Sequence, residues 1–116
     1  GQLEGDDHDR AAHSFSKALS IAPRWPTARS YYGVALERRG DFDAAEQHLM
    51  VALASNSTNG ECATNLVGFY VRRGDILRAR NAIEIFTRAG GHPARVRELE
   101  ALVDRAGNEG RPPLED

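Results

Sequence analysis

The sequence predicts an all-α fold, an α-α superhelix of antiparallel helix pairs. Apolar residues recur at steps of three and four along most of the chain, which is the spacing of a helix with one buried face. Between two such stretches, Gly40 can adopt the left-handed conformation that ends a helix, and Asp41 can accept hydrogen bonds from the first N–H groups of the next helix. One hairpin of this kind cannot bury its faces alone, so the pattern requires stacked copies.

Copies of this hairpin occur 34 residues away in both directions. The sequence Arg-Arg-Gly-Asp at residues 38–41 returns at residues 72–75. A fixed period of this size indicates a helical repeat array, since unrelated amphipathic helices do not stay in register over several positions. The apolar positions that keep the period are Ala11, Phe15, Ala18 and Leu19, then Ala45, Leu49, Ala52 and Leu53, then Ala79 and Ile83.

The residues at these positions resemble the tetratricopeptide-repeat (TPR) family. Its repeats have a small residue and a large apolar residue in the first helix, a glycine turn, and then alanine and large apolar positions in the second helix. The resemblance covers about residues 5–91, with departures at Phe86 and Gly91, where Ala and Pro are expected. The matching residues are Gly33, Leu36, Gly40, Phe42, Ala45, Leu49 and Ala52 in the middle copy, Ala11, Phe15, Ala18 and Pro23 in the first, and Gly74, Ile76, Ala79 and Ile83 in the third.

The resemblance and the apolar periodicity together predict about two and a half repeats plus a C-terminal capping helix, in a single TPR-like domain over residues 1–106. Residues 1–5 are expected to be a ragged start, too short for the missing first helix of the first repeat. Thr58 with Glu61 predicts a capping box before the fourth helix. Residues 107–116 have no periodicity and predict a flexible tail. The predicted helices are 6–22, 26–39, 42–55, 60–73 and 76–89, with the capping helix at 94–106.

Composition narrows the classes of function. Hydrophobic residues make up 41% of the 116 residues and charged residues 28%, as in an ordinary globular domain. No apolar run is long enough for a membrane span, and the net charge of −2 argues against a nucleic-acid binder. Cys62 is the only cysteine, so no disulfide forms within the chain. Arginine far outnumbers lysine, a bias associated with GC-rich bacterial genomes, and the compartment is left open between cytoplasm and periplasm.

Nothing in the sequence predicts an enzyme, a metal site or a cofactor. The densest group of metal-ligand types is residues 6–9, Asp-Asp-His-Asp, but neighbours on a helix point in different directions. A charged first turn, which complements the helix dipole, is the simpler interpretation. Cys62 is expected to pack near a helix start, where the dipole could acidify its thiol.

In TPR proteins the first helices of successive pairs line a concave groove that holds a partner segment, and the resemblance implies such a groove here. Asn65 stands where the family often uses Asn to hold a peptide backbone. Tyr31 stands where the chaperone-binding subfamily has Asn, so a carboxylate clamp is not expected. The repeated arginine pairs have two open interpretations, helix-end charges or one groove-facing arginine per pair. The implied lining is Thr27, Ser30, Tyr31, Val34, Glu37, Arg38, Glu61, Thr64, Asn65, Gly68, Val71 and Arg72.

The leading hypothesis is therefore a non-catalytic protein–protein interaction module that binds a peptide or helix of a partner. An adaptor or scaffold in bacterial pilus assembly or secretion is the narrower form of this hypothesis. One alternative is a chaperone of a secreted protein, which would need a more apolar groove. Another is a helical-repeat RNA binder, which the repeat spacing and the negative charge disfavour. Exposed repeat ends also leave a homodimer open.

Overall fold

The computed structural model of the chain describes residues 2–22 and 25–109. Over these residues the chain is all-α, with no strand, which confirms the predicted fold class. Pro23, which the repeat pattern used, lies outside the described residues, as do residues 110–116 of the predicted tail. The helices are α1 (Gln2–Ile21), α2 (Pro26–Arg39), α3 (Phe42–Ser55), α4 (Gly60–Arg72), α5 (Ile76–Arg88) and α6 (Pro93–Glu109).

The helices form an elongated array rather than a closed bundle. Each helix packs against the next one in sequence, and α4 also packs against both α2 and α6. The helices α2, α4 and α6 therefore lie side by side as one layer. The array measures 56 × 38 × 21 Å along its principal axes, as expected when hairpins stack in one direction.

A continuous core runs through the array from α2 to α6. Leu49 and Leu53 of α3, Val67 of α4, Phe86 of α5 and Val103 of α6 are all fully buried in one connected cluster. Each helix from α2 to α6 contributes apolar residues to this cluster, so neither the α2–α3 nor the α4–α5 hairpin has to bury its faces alone. The core therefore fixes how the side-by-side helices α2, α4 and α6 are placed.

The close packing of α2 against α3 depends on Gly33. A β-carbon at this position would lie 2.6 Å from Cγ of Leu49, so only glycine lets α2 and α3 approach this closely. The residue 34 positions later is Val67, which is fully buried in the corresponding helix. A second glycine makes room for a large side chain at the end of the array. There the fully buried ring of Phe86 lies against Gly91, which has no side chain to obstruct it.

Two turns of the array show the left-handed glycine that the sequence predicts. Gly40 has φ of 91° and Gly74 has φ of 77°. After each glycine the chain turns back, and the N–H of Asp41 donates to the carbonyl of Leu36 at 2.9 Å. Such a hydrogen bond satisfies a carbonyl at the helix end that would otherwise lack a partner.

The outer helices are longer than predicted. The first helix begins at Gln2 rather than at residue 6, because residues 2–5 contain no proline and Gly5 weakens a helix by only about 1 kcal/mol. The last helix continues to Glu109, so residues 107–109 belong to α6 and not to a flexible tail. Gly107 is tolerated in its last turn for the same reason, and the helical unit passes the predicted limit at residue 106.

The predicted capping box at the start of α4 is wrong. Because α4 begins at Gly60, the N-cap residue is Asn59, whose side chain accepts a hydrogen bond from the backbone N–H of Cys62 at 3.0 Å. Thr58 lies one residue too early and donates instead to the side chain of Asn56.

Candidate partner-binding groove

The side-by-side helices α2, α4 and α6 form the floor and walls of an open cavity of about 450 Å³. The cavity lies towards the C-terminal ends of α2 and α4, and its lining includes the first residue of α3 and the turn after α4. It combines apolar side chains with several charged ones, an arrangement suited to binding a peptide. The lining residues are Val34, Glu37, Arg38, Phe42, Thr64, Asn65, Gly68, Arg72, Arg73 and Leu102.

The cavity contains only part of the predicted groove. Of the predicted lining, Val34, Glu37, Arg38, Thr64, Asn65, Gly68 and Arg72 are brought together there, whereas Thr27, Ser30, Tyr31, Glu61 and Val71 are not. Ser30 is fully buried between the helices, and Val71 packs against the core. The cavity therefore covers only the part of the predicted groove towards the C-terminal ends of α2 and α4.

Hydrogen bonds between α2 and the start of α4 occupy the other end of the predicted groove. We call these three side-chain pairs the polar ladder. They connect groups that the sequence predicts to contact a partner, so these groups already have hydrogen-bond partners within the chain, although Tyr31 and Glu61 remain exposed. In the ladder, Asn59 Nδ2 donates to Thr27 Oγ1 at 3.2 Å, Asn65 Nδ2 donates to Ser30 Oγ at 2.8 Å, and the Tyr31 hydroxyl donates to Glu61 Oε2 at 2.8 Å.

Tyr31 is held from two sides. Its ring stacks on Phe15 of α1 with 5.8 Å between ring centroids, and its hydroxyl group bonds to Glu61. The hydrogen bond to the carboxylate, followed by burial and the nearby negative charge, raises the pKa of Tyr31. Tyr31 thus connects three helices and serves the array as a packing residue.

Inside the cavity, Arg72 and Glu37 form a two-point ion pair between α4 and α2. Arg72 Nε donates to Glu37 Oε2 at 2.8 Å, and Arg72 Nη2 donates to Glu37 Oε1 at 2.6 Å. The Glu37 side chain is only 7% exposed, whereas the Arg72 side chain is 52% exposed. The hydrogen bond to Glu37 raises the pKa of Arg72, which outweighs the opposing effect of burial.

The other arginines of the two pairs have three different environments. Arg39 forms an ion pair with Asp9 of α1 at 2.9 Å, and the guanidinium of Arg73 lies 3.9 Å from the centre of the Phe42 ring. Arg38 is exposed, lines the cavity and has no ion pair or hydrogen bond from its side chain within residues 2–22 and 25–109. Of the four arginines, Arg38, Arg72 and Arg73 therefore line the cavity and Arg39 does not, so the second pair has two cavity-lining members where one was expected.

The cavity has an excess of positive charge although the chain as a whole is negative. Arg38, Arg72 and Arg73 are balanced within the lining by Glu37 alone. Apolar surface comes from side chains such as Val34 and Leu102. Such a cavity attracts an anionic group and offers it neighbouring contacts for apolar atoms.

Sequence reasoning missed the contribution of α6 and of the turns. Leu102 lines the cavity from α6, and Arg95 Nη1 donates to Thr64 Oγ1 across the α4–α6 contact at 2.7 Å. Phe42 and Arg73 were also missed. The signal for α6 was present, because α6 follows α4 by the same two-helix step that separates α4 from α2.

Cys62 packs near the start of α4, as the sequence predicts, but its thiol is not acidified there. The residue is fully buried at the start of α4, and burial raises the pKa of its thiol, partly opposed by a hydrogen bond with Ser30. Desolvation of the thiolate is therefore the main cause of the raised pKa.

The predicted metal-ligand types at residues 6–9 are only partly described. Asp6 and His8 have side chains outside the described part, and Asp9 pairs with Arg39. Elsewhere in the described part, no three His, Cys, Asp or Glu side chains come together as metal ligands. None of the described helices is long and apolar enough to cross a membrane.

Comparison with known proteins identifies the class of fold. The structure is similar to the crystal structure of the Sgt2 TPR domain from Aspergillus fumigatus, with 25% sequence identity and a TM-score of 0.68 over 96% of this chain and 78% of that chain. No family model matches the sequence, and a search of curated proteins finds no match either. The chain has a TPR-like helical-repeat fold, which confirms the predicted resemblance and places it in the general class of protein–protein interaction modules.

Proposed function

We propose that the chain is a non-catalytic adaptor or scaffold that binds a segment of a partner protein in the cavity between α2, α4 and α6. The observation that carries this proposal is Arg38, a cation that faces the cavity without a partner among the described residues. The polar ladder and the pair between Glu37 and Arg72 hold the surrounding helices together before a partner arrives. A preformed cavity reduces the ordering cost of binding.

The charge of the cavity favours a partner segment that carries a carboxylate next to an apolar side chain. The planar guanidinium of Arg38 can donate two parallel hydrogen bonds to a carboxylate, a geometry that lysine cannot reproduce. Val34 and Leu102 line the same cavity and offer contacts for an apolar side chain.

The narrower parts of the proposal concern the pathway in which the protein acts and the kind of partner that it binds. The TPR-like fold and the preference for arginine over lysine are the features from which we propose an adaptor or scaffold in bacterial pilus assembly or secretion. A chaperone of a secreted protein is less well supported, because six of the ten residues that line the cavity are polar or charged. The net charge of −2 supports a protein rather than a nucleic acid as the partner.

Self-association is a further part of the proposal. Ile21 is 79% exposed and Trp25 is 52% exposed, both near the end of the array formed by α1 and the start of α2. Exposed apolar side chains of this size are suited to an interface between two copies. Sedimentation of the parent and of a Trp25→Ser variant tests this: a dimer that the variant weakens supports it, and a monomer at all concentrations contradicts it.

The test of the groove compares two charge reversals on the immobilised chain. Arg38→Glu places a carboxylate in the cavity, whereas Arg97→Glu makes the same change on α6, two residues from the buried Leu99 and so on the opposite side of that helix. Proteins captured from a bacterial lysate by the parent are identified, and the purified partner is then titrated against both variants.

We expect the partner to be lost with Arg38→Glu and retained with Arg97→Glu. Thermal unfolding of both variants should match the parent, because neither arginine has an ion pair within the described residues. A partner that binds both variants equally would place the binding surface elsewhere and contradict the proposal.

A further inference from the structure

Arg38 and Arg72 occupy the same position in successive repeats, 34 residues apart, but only Arg72 is already bound to a carboxylate. That carboxylate belongs to Glu37, which has no acidic counterpart one repeat later, where Val71 stands. Glu37 is also the only charged side chain that is buried among the described residues. The pair is therefore a local feature of the cavity and not part of the repeat pattern.

The geometry of the pair is that of carboxylate recognition. Both oxygens of Glu37 accept hydrogen bonds from one edge of the Arg72 guanidinium, at 2.8 and 2.6 Å. Gly68 leaves room for this arrangement, because a β-carbon there would lie 3.0 Å from Arg72 Nη1, a tight contact. The guanidinium lies over the bare backbone of α4, half exposed on the cavity side.

We infer that Glu37 is a specificity-determining residue that takes the place of a partner's carboxylate on Arg72. By occupying the fork of Arg72, it limits the attraction of the cavity for acidic segments and leaves Arg38 as the principal anion contact. This inference rests on the proposed function of the cavity. Glu37 acts through Arg72 and so controls which acidic partners bind, without itself contacting them.

Replacement of Glu37 by Gln should release Arg72 for an external carboxylate. The amide keeps the shape of the side chain but forms weaker, uncharged hydrogen bonds with the guanidinium. An acidic peptide could then engage Arg38 and Arg72 together. We expect its affinity to rise about tenfold at low ionic strength, where exposed charges are least screened.

The experiment measures binding of a fluorescein-labelled hexaglutamate peptide by fluorescence polarisation. Glu61→Gln is the matched control, because it removes the same charge from α4 at the far end of the same face, where Glu61 pairs with Tyr31 and not with an arginine. Arg72→Gln is measured alone and combined with Glu37→Gln. Thermal unfolding of every variant checks that it is folded.

The expected result has two parts. Glu37→Gln tightens binding about tenfold, whereas Glu61→Gln changes it less than about threefold, as a screened surface charge should. Arg72→Gln weakens binding more in the Glu37→Gln background than in the parent, because only there does Arg72 contact the peptide. A change in overall charge alone would make these effects additive.

Equal effects of Glu37→Gln and Glu61→Gln would overturn the inference, and so would strictly additive effects of Glu37→Gln and Arg72→Gln. The inference would also be overturned if the peptide bound neither the parent nor Glu37→Gln. The proposed function is judged separately: peptide binding that is lost with Arg38→Glu but insensitive to Glu37→Gln keeps the groove and rejects the role of Glu37.

Discussion

The turns at residues 38–41 and 72–75 have the same sequence, Arg-Arg-Gly-Asp, and nearly the same backbone. Their glycines have φ of 91° and 77°, and in each turn the aspartate N–H donates to a carbonyl five residues earlier, at 2.9 Å after α2 and 2.8 Å after α4. The side chains nevertheless differ. In the second turn Asp75 caps α5 through the N–H of Arg78, whereas Asp41 makes no such cap at the start of α3.

The arginines differ more than the aspartates. Arg39 reaches back to Asp9 of α1, but its counterpart Arg73 lies over the ring of Phe42. Arg72 is held by Glu37, and the equivalent Arg38 is open to the cavity. A repeated sequence therefore fixes the backbone of each turn, while the neighbouring repeat decides what each side chain does.

The largest expected effect tests whether the α2–α3 and α4–α5 hairpins are equivalent in the core. Ala45 and Ala79 are 34 residues apart and both fully buried. Substitution of either by Glu buries an unpaired charge and should cost about 4 kcal/mol or more, enough to unfold a small domain. Circular dichroism during heating should show no cooperative transition for either variant. The exposed Gln47→Glu in the same helix as Ala45 is the control, and a parent-like melt of Ala45→Glu would refute the repeat register.

The next effect separates the two equivalent arginines. Arg72→Gln leaves the buried carboxylate of Glu37 without its ion pair and should reduce the free energy of unfolding by about 1–2 kcal/mol, less than for a fully buried pair because Arg72 is half exposed. Arg38→Gln should change it by less than about 0.5 kcal/mol. Urea titration of both variants measures the difference, and equal costs would mean that the ion pair contributes no stability.

A smaller effect tests whether the two turns share one backbone. In Gly40→Ala and in Gly74→Ala a new methyl group would meet no atom within 4 Å, so the cost arises from the left-handed conformation alone. Each variant should lose about 1 kcal/mol of stability, once the lower entropy of the unfolded chain is included. A difference above about 0.5 kcal/mol in urea titrations would show that the turns are not equivalent.

The smallest effect concerns His48 of the α2–α3 hairpin. This histidine lies beside Tyr32 and accepts a hydrogen bond from Arg29 Nη1 at 3.0 Å, while Ala82 occupies the equivalent position in the α4–α5 hairpin. Burial, and then the positive charge of Arg29, lower the pKa of His48 below its usual 6.5. The unfolded chain therefore binds more protons below about pH 6.5, and this contribution to stability is lost as the pH falls from 7 towards 5.

Denaturant titrations of the parent and of His48→Gln between pH 5 and pH 7 measure this contribution. Gln can still accept a hydrogen bond from Arg29 but does not titrate in this range. The variant should lose less stability than the parent on acidification. Identical pH dependence of the two proteins would show that His48 titrates alike in the folded and unfolded chain.

The fold was predictable because its signals are local. Helix periodicity, the glycine turns and the 34-residue period each depend on residues close in sequence, and the observed bounds of α2 and α3 coincide with the predicted ones. The errors lie at the ends of the array, where Gly5 and Gly107 weaken a helix without ending it. At α4 the cap depends on which residue begins the helix, and a shift of one residue exchanged Thr58 for Asn59.

The groove was less predictable, because exposure depends on contacts between repeats. Residues such as Val34 and Arg38, which the resemblance to TPR proteins implied as groove lining, do line the cavity, and their contact with a partner stays a prediction. The period could not show that Ser30 and Asn65 would bond to each other across the α2–α4 contact, since both look like free polar groups in the sequence. The sequence also could not show that Leu102 lines the cavity, because this depends on where α6 packs against α4.

By itself, the sequence determined the helices, the turns and the stacking of the repeats, because hydrophobic periodicity and glycine conformation act within a few residues of the chain. Only the tertiary structure decided which polar side chains are available to a partner. Arg38 and Arg72 are indistinguishable in the repeat pattern, and the difference between them arises because Glu37 of the neighbouring helix reaches one and not the other. Charge pairing across a helix contact depends on distances of a few ångströms, which a repeat pattern does not specify.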